Sequence, residues 1–377
     1  MKKVLHVIEN FNGQAIEKWL YQMMRQLKLA NENMDWTFYS TVGVPGKYDQ
    51  DIQALGGKII YSPIPLKKKW HFLKNFRQVL ISEKFDILHC HQDVMSAIYL
   101  IAAIGLPLDK IIHLHNTSFS LPTSSHLKST LLQKPMRLAC LYLADSIVGV
   151  SKVTLEAFLL NTKPKCDRRD VIIHCGIDMS AFHPTPCQRS FFLKALGLSA
   201  NSRVLLFVGR MIDYKNPCFL IEIMEKISRL DPAFCTVFVG AGPLENKVLK
   251  MANLKSLESR VRVLGWRDDI PSLMMSCDML ICPSLEDPKE GLGLVIIEAQ
   301  AAGLPVLMSL SVPDEAIVVN ELVDILPLAA GAHIWATKIF DALQRSSLKR
   351  EEALTVMKRS SFAISYSAES IQKLYRT

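Results

Sequence analysis

The sequence predicts an α/β protein built from two doubly wound domains that face each other across a cleft. Short apolar runs typical of buried strands alternate with longer amphipathic runs typical of helices, which favours parallel sheets wrapped by helices on both faces. This alternation restarts at Arg203, after an unpatterned, proline-containing stretch at Phe182–Gln188. A chain of 377 residues is also too long for one ordinary core and suits two domains.

The first domain is predicted over residues 1–185. Its first strand follows two lysines, as the core of a signal peptide does, but only a short apolar stretch precedes Glu9, so a buried strand is predicted. The apolar run 94–108 is interrupted by Ser96 and Gly105 and is shorter than the ~20 residues of a membrane-spanning helix. The predicted elements are strands at Val4–Ile8, Trp36–Ser40, Lys58–Tyr61, Ile87–His91, Ile111–His115, Ser146–Val150 and Val171–His174, with helices at Ala15–Leu29 and Val94–Ile104.

The second domain is predicted over residues 190–360. The amphipathic segment Ala368–Tyr375, within residues 361–377, is predicted to pack back onto the first domain. Parallel sheets bind ligands beyond the carboxyl ends of their strands, so the binding site is expected in the cleft. The predicted elements are strands at Arg203–Val208, Thr236–Gly240, Val261–Leu264, Met279–Pro283 and Pro305–Ser309, with helices at Pro217–Leu230 and Leu244–Ala252.

Composition and charge narrow the class of protein. The nine cysteines are scattered without a C-x-x-C pair, which indicates reduced thiols in a cytoplasmic protein and no disulfide framework. The net charge of +8 lies entirely within residues 1–190 and is concentrated at Leu66–Arg77, where basic residues interleave with Trp70, Phe72 and Phe76. On a helix, this pattern predicts peripheral contact with the anionic inner face of a cell membrane, and a solvated basic helix is the alternative. No nucleic-acid partner is expected, because no DNA- or RNA-binding signature accompanies the charge.

The most informative stretch runs from Glu290 to Pro305. An apolar run typical of a strand ends just before it, at Pro283, and an apolar-periodic run typical of a helix follows. Its glycines are therefore expected between the strand and the helix N-terminus, where an anion is favoured. Glu290 and Glu298 are eight residues apart, which is about 12 Å of helical rise. The two carboxylates can therefore meet different parts of a long ligand, such as a sugar joined to a nucleoside through a diphosphate. A glycine-rich turn with two solvated glutamates is the alternative.

Two cations stand at the start of the second domain. Arg210 and Lys215 follow a strand and precede a helix, so both side chains are expected to project into a solvent-lined cleft. Fixed cations neutralise a diphosphate leaving group without a metal, while a basic surface loop is the alternative. Gly240 and Gly242, after the next strand, predict a tight turn where backbone approaches another group closely.

Histidines alternate at two strand ends of the first domain, as the pairs His89/His91 and His113/His115. Such histidines are more often core or hydrogen-bonding groups than catalysts. No carboxylate or cysteine stands at a convincing metal-binding spacing from them, so no metal site is predicted. Gly13, just before the first helix, is placed to admit a phosphate or a sugar.

Taken together and in this order, these elements resemble the retaining, nucleotide-sugar-dependent glycosyltransferases of family 4, which have the GT-B fold of two Rossmann-like domains. The resemblance covers essentially the whole chain, and a narrower similarity is to bacterial exopolysaccharide and capsule enzymes. The motifs that carry it are Phe207–Lys215, Phe238–Leu244, Val263–Asp268, Pro283–Pro305, Asp86–His91, His113–Asn116, Ala144–Ser151 and Gly176–Asp178.

The resemblance implies transfer of a sugar, with retained anomeric configuration, from a nucleoside diphosphate sugar to a glycan or lipid-diphosphate-linked acceptor in surface polysaccharide biosynthesis. No metal or other cofactor would be needed, and uridine diphosphate is favoured over guanosine diphosphate as the carrier. Arg210 and Lys215 would hold the diphosphate, Glu298 the ribose, and Glu290 and His115 the transferred sugar. Glu290, His115, Lys215 and Arg210 would be the catalytic residues. The full implied donor site is Gly13, Gly209, Arg210, Lys215, Gly265, Arg267, Glu290, Gly291, Leu292, Gly293 and Glu298.

The sequence departs from the family pattern in three places. Leu285–Lys289 is longer and more charged than in many members, the first loop has one glycine where relatives often have two, and Val312–Ala316 replaces a small-residue turn. Three alternatives remain open: a nucleotide-sugar epimerase of the same fold, a glycan synthase with a soluble acceptor, and a binding module without activity. An epimerase would lack the combination of Arg210 and Lys215 with the two glutamates.

Overall fold

The computed structural model describes residues 2–12, 15–32, 34–118, 126–159, 169–183, 188–345 and 348–376, with the backbone alone at 126–131. The chain forms two compact units. The first unit contains Met1–Ile177 together with Ser361–Thr377, and the second unit contains Asp178–Ser360.

Strands and helices alternate along the described part of the chain. The strands are β1 (Lys3–Ile8), β2 (Asp35–Ser40), β3 (Lys58–Tyr61), β4 (Ile87–Cys90), β5 (Asp109–Leu114), β6 (Ser146–Gly149), β7 (Arg169–Ile172), β8 (Arg203–Val208), β9 (Phe234–Val239), β10 (Val261–Val263), β11 (Met279–Cys282), β12 (Val306–Met308) and β13 (Val323–Ile325). The helices are α1 (Ala15–Leu29), α2 (Asp49–Ala54), α3 (Lys69–Glu83), α4 (Ser96–Ala102), α5 (His126–Leu143), α6 (Lys152–Leu159), α7 (Gln188–Ala195), α8 (Pro217–Leu230), α9 (Glu245–Leu254), α10 (Ile270–Ser276), α11 (Leu294–Ala301), α12 (Gly331–Gln344), α13 (Arg350–Lys358) and α14 (Ile364–Arg376).

The sheet of the first unit is parallel, with the strand order β3-β2-β1-β4-β5-β6-β7. The order reverses between β1 and β4, which is where open parallel sheets bind ligands beyond their carboxyl ends. In this register His6 of β1 pairs with His89 of β4. Helix α14, at the end of the chain, packs against α1 of the same unit.

The sheet of the second unit is also parallel, with the order β10-β9-β8-β11-β12-β13. Its order reverses between β8 and β11. Apolar side chains of β8, β9 and α8 form one core together with Trp335 of α12. The predicted architecture of two parallel, Rossmann-like sheets is confirmed.

Predicted strand bounds agree with the observed ones to within two residues. The sequence reasoning did not find β13, which is a three-residue strand at the sheet edge, too short for a period-2 pattern to show. The helix predicted at Val94–Ile104 begins as a 3-10 turn at Asp93–Met95 and continues as α4. A helix with both the length and the hydropathy needed to span a bilayer is not found among the described residues.

Helix α3 carries the basic segment. Phe72 and Phe76 are buried and pack with Tyr39 and Tyr99, so two of the three aromatic residues predicted as surface contacts belong to the core instead. Trp70 is 83% exposed and stands beside the exposed Lys67–Lys69. The interleaved pattern therefore reflects an ordinary amphipathic helix with one exposed tryptophan.

Candidate active site

The candidate site lies at the carboxyl edge of the second sheet, where the strand order reverses between β8 and β11. After β8 the chain runs through Gly209 and Arg210 to a 3-10 turn at Asp213–Lys215. Asn216 then adopts left-handed backbone with φ 51°, and Pro217 begins α8. A proline at the first helical position is favoured because its missing N–H has no helical partner there. Lys215 is thereby fixed on a tight turn in front of a helix.

The glycines after β9 pack onto this loop. A Cβ at Gly240 would meet the Gly209 carbonyl oxygen at 2.0 Å, and one at Gly242 would meet the Met211 carbonyl oxygen at 2.4 Å. The Met211 N–H donates to the Ala241 carbonyl at 3.0 Å. The backbone that these glycines approach is therefore the neighbouring loop of the same unit, which they hold in place.

Lys215 and Glu290 form a buried ion pair. Lys215 Nζ lies 2.7 Å from both carboxylate oxygens of Glu290, and the two side chains are 15% and 5% exposed. Burial by itself lowers the pKa of Lys215, but the carboxylate of Glu290, followed by Cys282 and Tyr214, raises this pKa above its ordinary value. Lys215 is thus a permanent cation. Its position is not solvent-lined, which corrects the expectation from the sequence.

Further contacts hold Glu290 in place. Ser284 donates its hydroxyl to Glu290 Oε1 at 2.5 Å, and Ser309 donates its hydroxyl to the Ser284 carbonyl at 2.6 Å. The backbone N–H of Glu290 donates to the Ser311 carbonyl at 3.0 Å. The carboxylate is therefore oriented by a hydroxyl and an ammonium at the same time, which is the preorganisation that a binding or catalytic group needs.

The glycine-rich turn leads into α11. Gly293 is the N-cap residue with φ +79°, and a Cβ there would meet Val312 Cγ1 at 2.7 Å, so glycine is required on both counts. Between Glu290 and this cap, Leu292 is buried and Gly291 is partly exposed. The strand-to-helix glycine turn predicted from the sequence is present.

The two glutamates are not on one helix. Glu290 lies in the loop before α11, and only Glu298 is on the helix, where it is half-buried. The predicted helical rise between the two carboxylates is therefore wrong, because α11 begins four residues after Glu290, at Leu294. Their separation depends on the loop conformation rather than on helical geometry.

Other residues of the implied donor site differ in exposure. Arg210 is exposed, and its side chain makes no hydrogen bond or ion pair with any residue that the structure describes. Arg267 donates from Nε and Nη2 to the carboxylate of Asp269 at 2.8 and 2.7 Å. Gly265 has φ +64° with open space around its Cβ position, beside Trp266, which is 57% exposed. Gly13 lies outside the described residues.

His115 lies in the first unit, directly after β5. Its backbone N–H donates to Asp93 Oδ1 at 2.8 Å, and the Asn116 amide donates to Asp93 Oδ2 at 2.7 Å. Burial lowers the pKa of His115 to about 3, so the ring is neutral at physiological pH. Burial also raises the pKa of Asp93 to about 6. A neutral His115 has one donor nitrogen and one acceptor nitrogen, and Nε2 lies 3.2 Å from His91 Nδ1.

The predicted histidine pairs join a larger group, the histidine cluster, which consists of His6, His89, His91, His113 and His115. Ring centroids lie 4.3 Å apart for His89 and His91 and 4.6 Å apart for His113 and His115. Among the described residues, two subsets, His6/His89/His91 and His91/His113/His115, bring ligand nitrogens within 4.8 Å of one another and could hold a metal ion. The expectation of no metal remains a prediction.

Sequence reasoning missed several of these residues. Ser284 follows Pro283 at a strand end, a position that could have marked it as a site residue. His6 had no such signal, because its place in the cluster depends on the register of β1 with β4, which the sequence does not display. Tyr375 of α14 had no such signal either. Its hydroxyl lies 2.6 Å from His89 Nδ1.

Two domain families match this chain, and each of them covers most of one of the two units. Residues 16–181 match the domain family described as Glycosyltransferase Family 4, and residues 202–344 match the one described as Glycosyl transferases group 1. The putative glycosyltransferase EpsF of Bacillus subtilis (strain 168) is 29% identical over 354 residues, covering 93% of this chain and 90% of EpsF. The Escherichia coli UDP-Gal:alpha-D-GlcNAc-diphosphoundecaprenol alpha-1,3-galactosyltransferase is 29% identical over 287 residues, covering 72% of this chain and 70% of the enzyme.

Solved structures agree with this assignment at the level of the fold. The crystal structure of Anabaena Alr3699/HepE in complex with UDP-glucose aligns with a TM-score of 0.80 over 100% of both chains, at 18% sequence identity. The two domain families together account for most of both sheets described above. The chain therefore belongs to the family 4 glycosyltransferases, which have the GT-B fold.

Proposed function

We propose that this glycosyltransferase transfers a sugar, with retained anomeric configuration and without a metal, from a uridine diphosphate sugar to a glycan or lipid-diphosphate-linked acceptor in surface polysaccharide biosynthesis. The observation that carries the proposal is the buried pair of Lys215 and Glu290 at the reversal point of the second sheet. The permanent cation can bind a diphosphate, and the fixed carboxylate beside it can accept a hydrogen bond from a sugar hydroxyl.

The reaction requires charge stabilisation at the leaving group. The acceptor hydroxyl oxygen forms a bond to the anomeric carbon while the bond from that carbon to the phosphate oxygen breaks, and the hydroxyl proton passes to the departing phosphate on the same face. Lys215 stabilises the negative charge that develops on this oxygen, and the exposed Arg210 adds a second cation. Two cations in this role make a divalent metal unnecessary, although only Lys215 is held in place by contacts within the described part of the chain.

The remaining roles follow from position. Glu290, oriented by Ser284, accepts a hydrogen bond from the transferred sugar. Glu298, which lies on α11, accepts hydrogen bonds from the ribose hydroxyls. The N–H groups of Gly291, Leu292 and Gly293, in the loop that ends at the N-cap of α11, support the sugar and the phosphate. Gly209, Gly265 and Arg267 border the phosphate and the base, and the neutral His115 contacts the transferred sugar.

The acceptor is proposed from charge and from a relative. The E. coli galactosyltransferase, as its name states, acts on a diphosphoundecaprenol-linked acceptor. The net charge of +8 within residues 1–190 suits a unit that rests on an anionic membrane, with Lys67–Lys69 and Trp70 as the contact. A soluble-acceptor synthase is the alternative, and the vesicle experiment in the Discussion separates the two.

A donor screen tests the proposal. The protein is heated with each member of a panel of uridine and guanosine diphosphate sugars in excess chelator, and each stabilising compound is then assayed for hydrolysis and transfer. A ligand present at 100 times its dissociation constant stabilises the folded state by about 2.7 kcal/mol. Stabilisation and turnover by a uridine diphosphate sugar are expected. A product that remains nucleotide-linked with an inverted ring carbon would instead identify an epimerase.

A further inference from the structure

Helix α14 reaches the histidine cluster through Tyr375. The hydroxyl of Tyr375 lies 2.6 Å from His89 Nδ1 and 3.4 Å from His6 Nε2. The side chain is buried, and burial raises the pKa of Tyr375, so the phenol keeps its proton. The last turn of the chain thus places a hydroxyl among buried imidazoles, a contact that donor binding does not explain.

From this hydroxyl, a continuous series of polar contacts leads to His115. His6 Nδ1 lies 3.0 Å from His91 Nε2, and His91 Nδ1 lies 3.2 Å from His115 Nε2. His115 Nδ1 lies 3.9 Å from Cys175 Sγ. We call Tyr375, His6, His91, His115 and Cys175 the tyrosine chain. Both ring nitrogens of each of its histidines are engaged within it.

The protons along such a chain are not independent. Burial lowers the pKa of all three histidines, so each ring is neutral and has one N–H donor and one bare acceptor nitrogen. If His6 donates to His91, then His91 has only its other nitrogen with which to donate to His115. Donation therefore runs in one direction along the whole series, and reversing one ring requires reversing all of them.

We propose that Tyr375 is a positioning residue for His115, because through His6 and His91 it fixes which ring nitrogen of His115 carries the proton. The contact from His115 Nδ1 to sulfur is weak, so Nδ1 is the nitrogen with hydrogen-bonding capacity left for a sugar hydroxyl. The direction of the chain decides whether this nitrogen donates or accepts. The inference rests on the proposed function in one respect, namely that His115 contacts the transferred sugar.

Metal binding is the other use to which these rings could be put. It would require three of these ring nitrogens to turn their lone pairs towards one ion. The contacts of 3.0 and 3.2 Å between rings are already hydrogen-bond distances, so the nitrogens serve one another. The hydrogen-bonded series accounts for all of these contacts, including that of Tyr375.

The test uses Tyr375→Phe, which removes the hydroxyl and retains the ring that packs α14. Side-chain 15N spectra of histidine-labelled, chelator-treated protein report the tautomer of each imidazole, and His115→Gln assigns the His115 signals. In Tyr375→Phe, the 15N shifts of His115 are expected to move towards a mixed tautomer population. Turnover is expected to fall roughly three- to tenfold, the range for one lost hydrogen bond, with UDP affinity unchanged. His6→Gln cuts the same chain one link nearer to His115 and is expected to give the same shift.

Tyr366→Phe is the matched control, because it makes the same substitution on the same helix. Tyr366 is 51% exposed, and among the described residues its side chain has no hydrogen bond to a member of the tyrosine chain. It should leave the His115 shifts at their wild-type values. Unchanged His115 shifts in Tyr375→Phe would overturn the proposal whatever the turnover. Altered shifts with full turnover would overturn the positioning role together with the role of His115 in transfer, while leaving donor binding by the second unit unaffected.

Discussion

Lys215 Nζ lies 2.7 Å from both carboxylate oxygens of Glu290, and the pair is buried at the point where the strand order of the second sheet reverses. The two residues are brought together by different loops, one after β8 and the other after β11. Each residue neutralises the charge of the other. The side chain proposed to bind the diphosphate and the side chain proposed to bind the sugar therefore form one ion pair. Because an ammonium has three N–H donors, Lys215 can contact a diphosphate while it stays paired with Glu290.

This pairing predicts that Lys215→Met destabilises the protein. Removing one partner of a buried ion pair leaves the other charge uncompensated, which costs about 3 kcal/mol or more. Lys215→Met/Glu290→Leu should recover most of this loss, because no buried charge remains, yet should be inactive. Urea unfolding of both variants measures the difference, and equal stability of Lys215→Met and wild type would contradict a buried pair.

Arg210→Ala is the comparison for Lys215. Arg210 is exposed, so its loss should leave the midpoint of urea unfolding unchanged while reducing turnover about a hundredfold, on the order of 3 kcal/mol of transition-state stabilisation. Wild-type turnover in this variant would remove Arg210 from the proposed diphosphate site.

The two glutamates should separate in a binding experiment. Glu298→Gln is expected to weaken binding of uridine diphosphate itself, because the ribose is present in that molecule. Glu290→Gln should retain this affinity and lose transfer, since its proposed partner is the sugar. Calorimetric titration with uridine diphosphate, alongside turnover, gives both quantities. Equal losses of nucleotide affinity in the two variants would contradict the division of roles.

Acid should unfold the protein through the histidine cluster. Burial lowers the pKa of the five histidines, those of His6 and His115 to about 3, so the folded state keeps these rings neutral where the unfolded chain protonates them near pH 6.5. The unfolded state then binds more protons, so stability falls as pH drops below about 6.5, by roughly 1.4 kcal/mol per pH unit for each proton.

Asp93 opposes this effect in part. Burial raises its pKa to about 6, so between about pH 6 and 4 the folded state holds a proton that the unfolded chain has released. The histidines outnumber it, and a net steep loss of stability is expected. Thermal unfolding between pH 7.5 and 5 measures it. A midpoint that stays constant over this range would show that these rings are not buried as neutral groups.

The basic segment predicts salt-sensitive binding to anionic vesicles. Each lysine near such a surface contributes roughly 1 kcal/mol, and the Debye length is about 8 Å at physiological salt. Lys67/Lys68/Lys69→Glu should abolish co-sedimentation, and Trp70→Ala should weaken it. Charge reversal at Lys28, Lys84 and Lys152, which are exposed elsewhere on the first unit, is the matched control. Equal sedimentation of both triple variants would favour a soluble acceptor.

A feature of the structure could be predicted from the sequence when residues close together in the chain determine it. The strands and the turn at Gly293 follow from local patterns and were predicted well. The partner of Lys215 was not, because Glu290 is 75 residues away and the loop that brings it there is irregular. The tyrosine chain depends on the docking of α14, so Tyr375 and His6, which lie 369 residues apart, could not be linked by spacing.

Lys215 and Glu290 are proposed to form the donor site of a retaining, metal-independent enzyme. The most direct measurement is time-resolved proton NMR of the wild-type protein with an α-linked uridine diphosphate sugar, acceptor and excess chelator. We expect an α-linked product to appear first, together with uridine diphosphate, and Glu290→Gln to yield neither. A β-linked first product, or turnover that stops when chelator is added, would contradict this proposal.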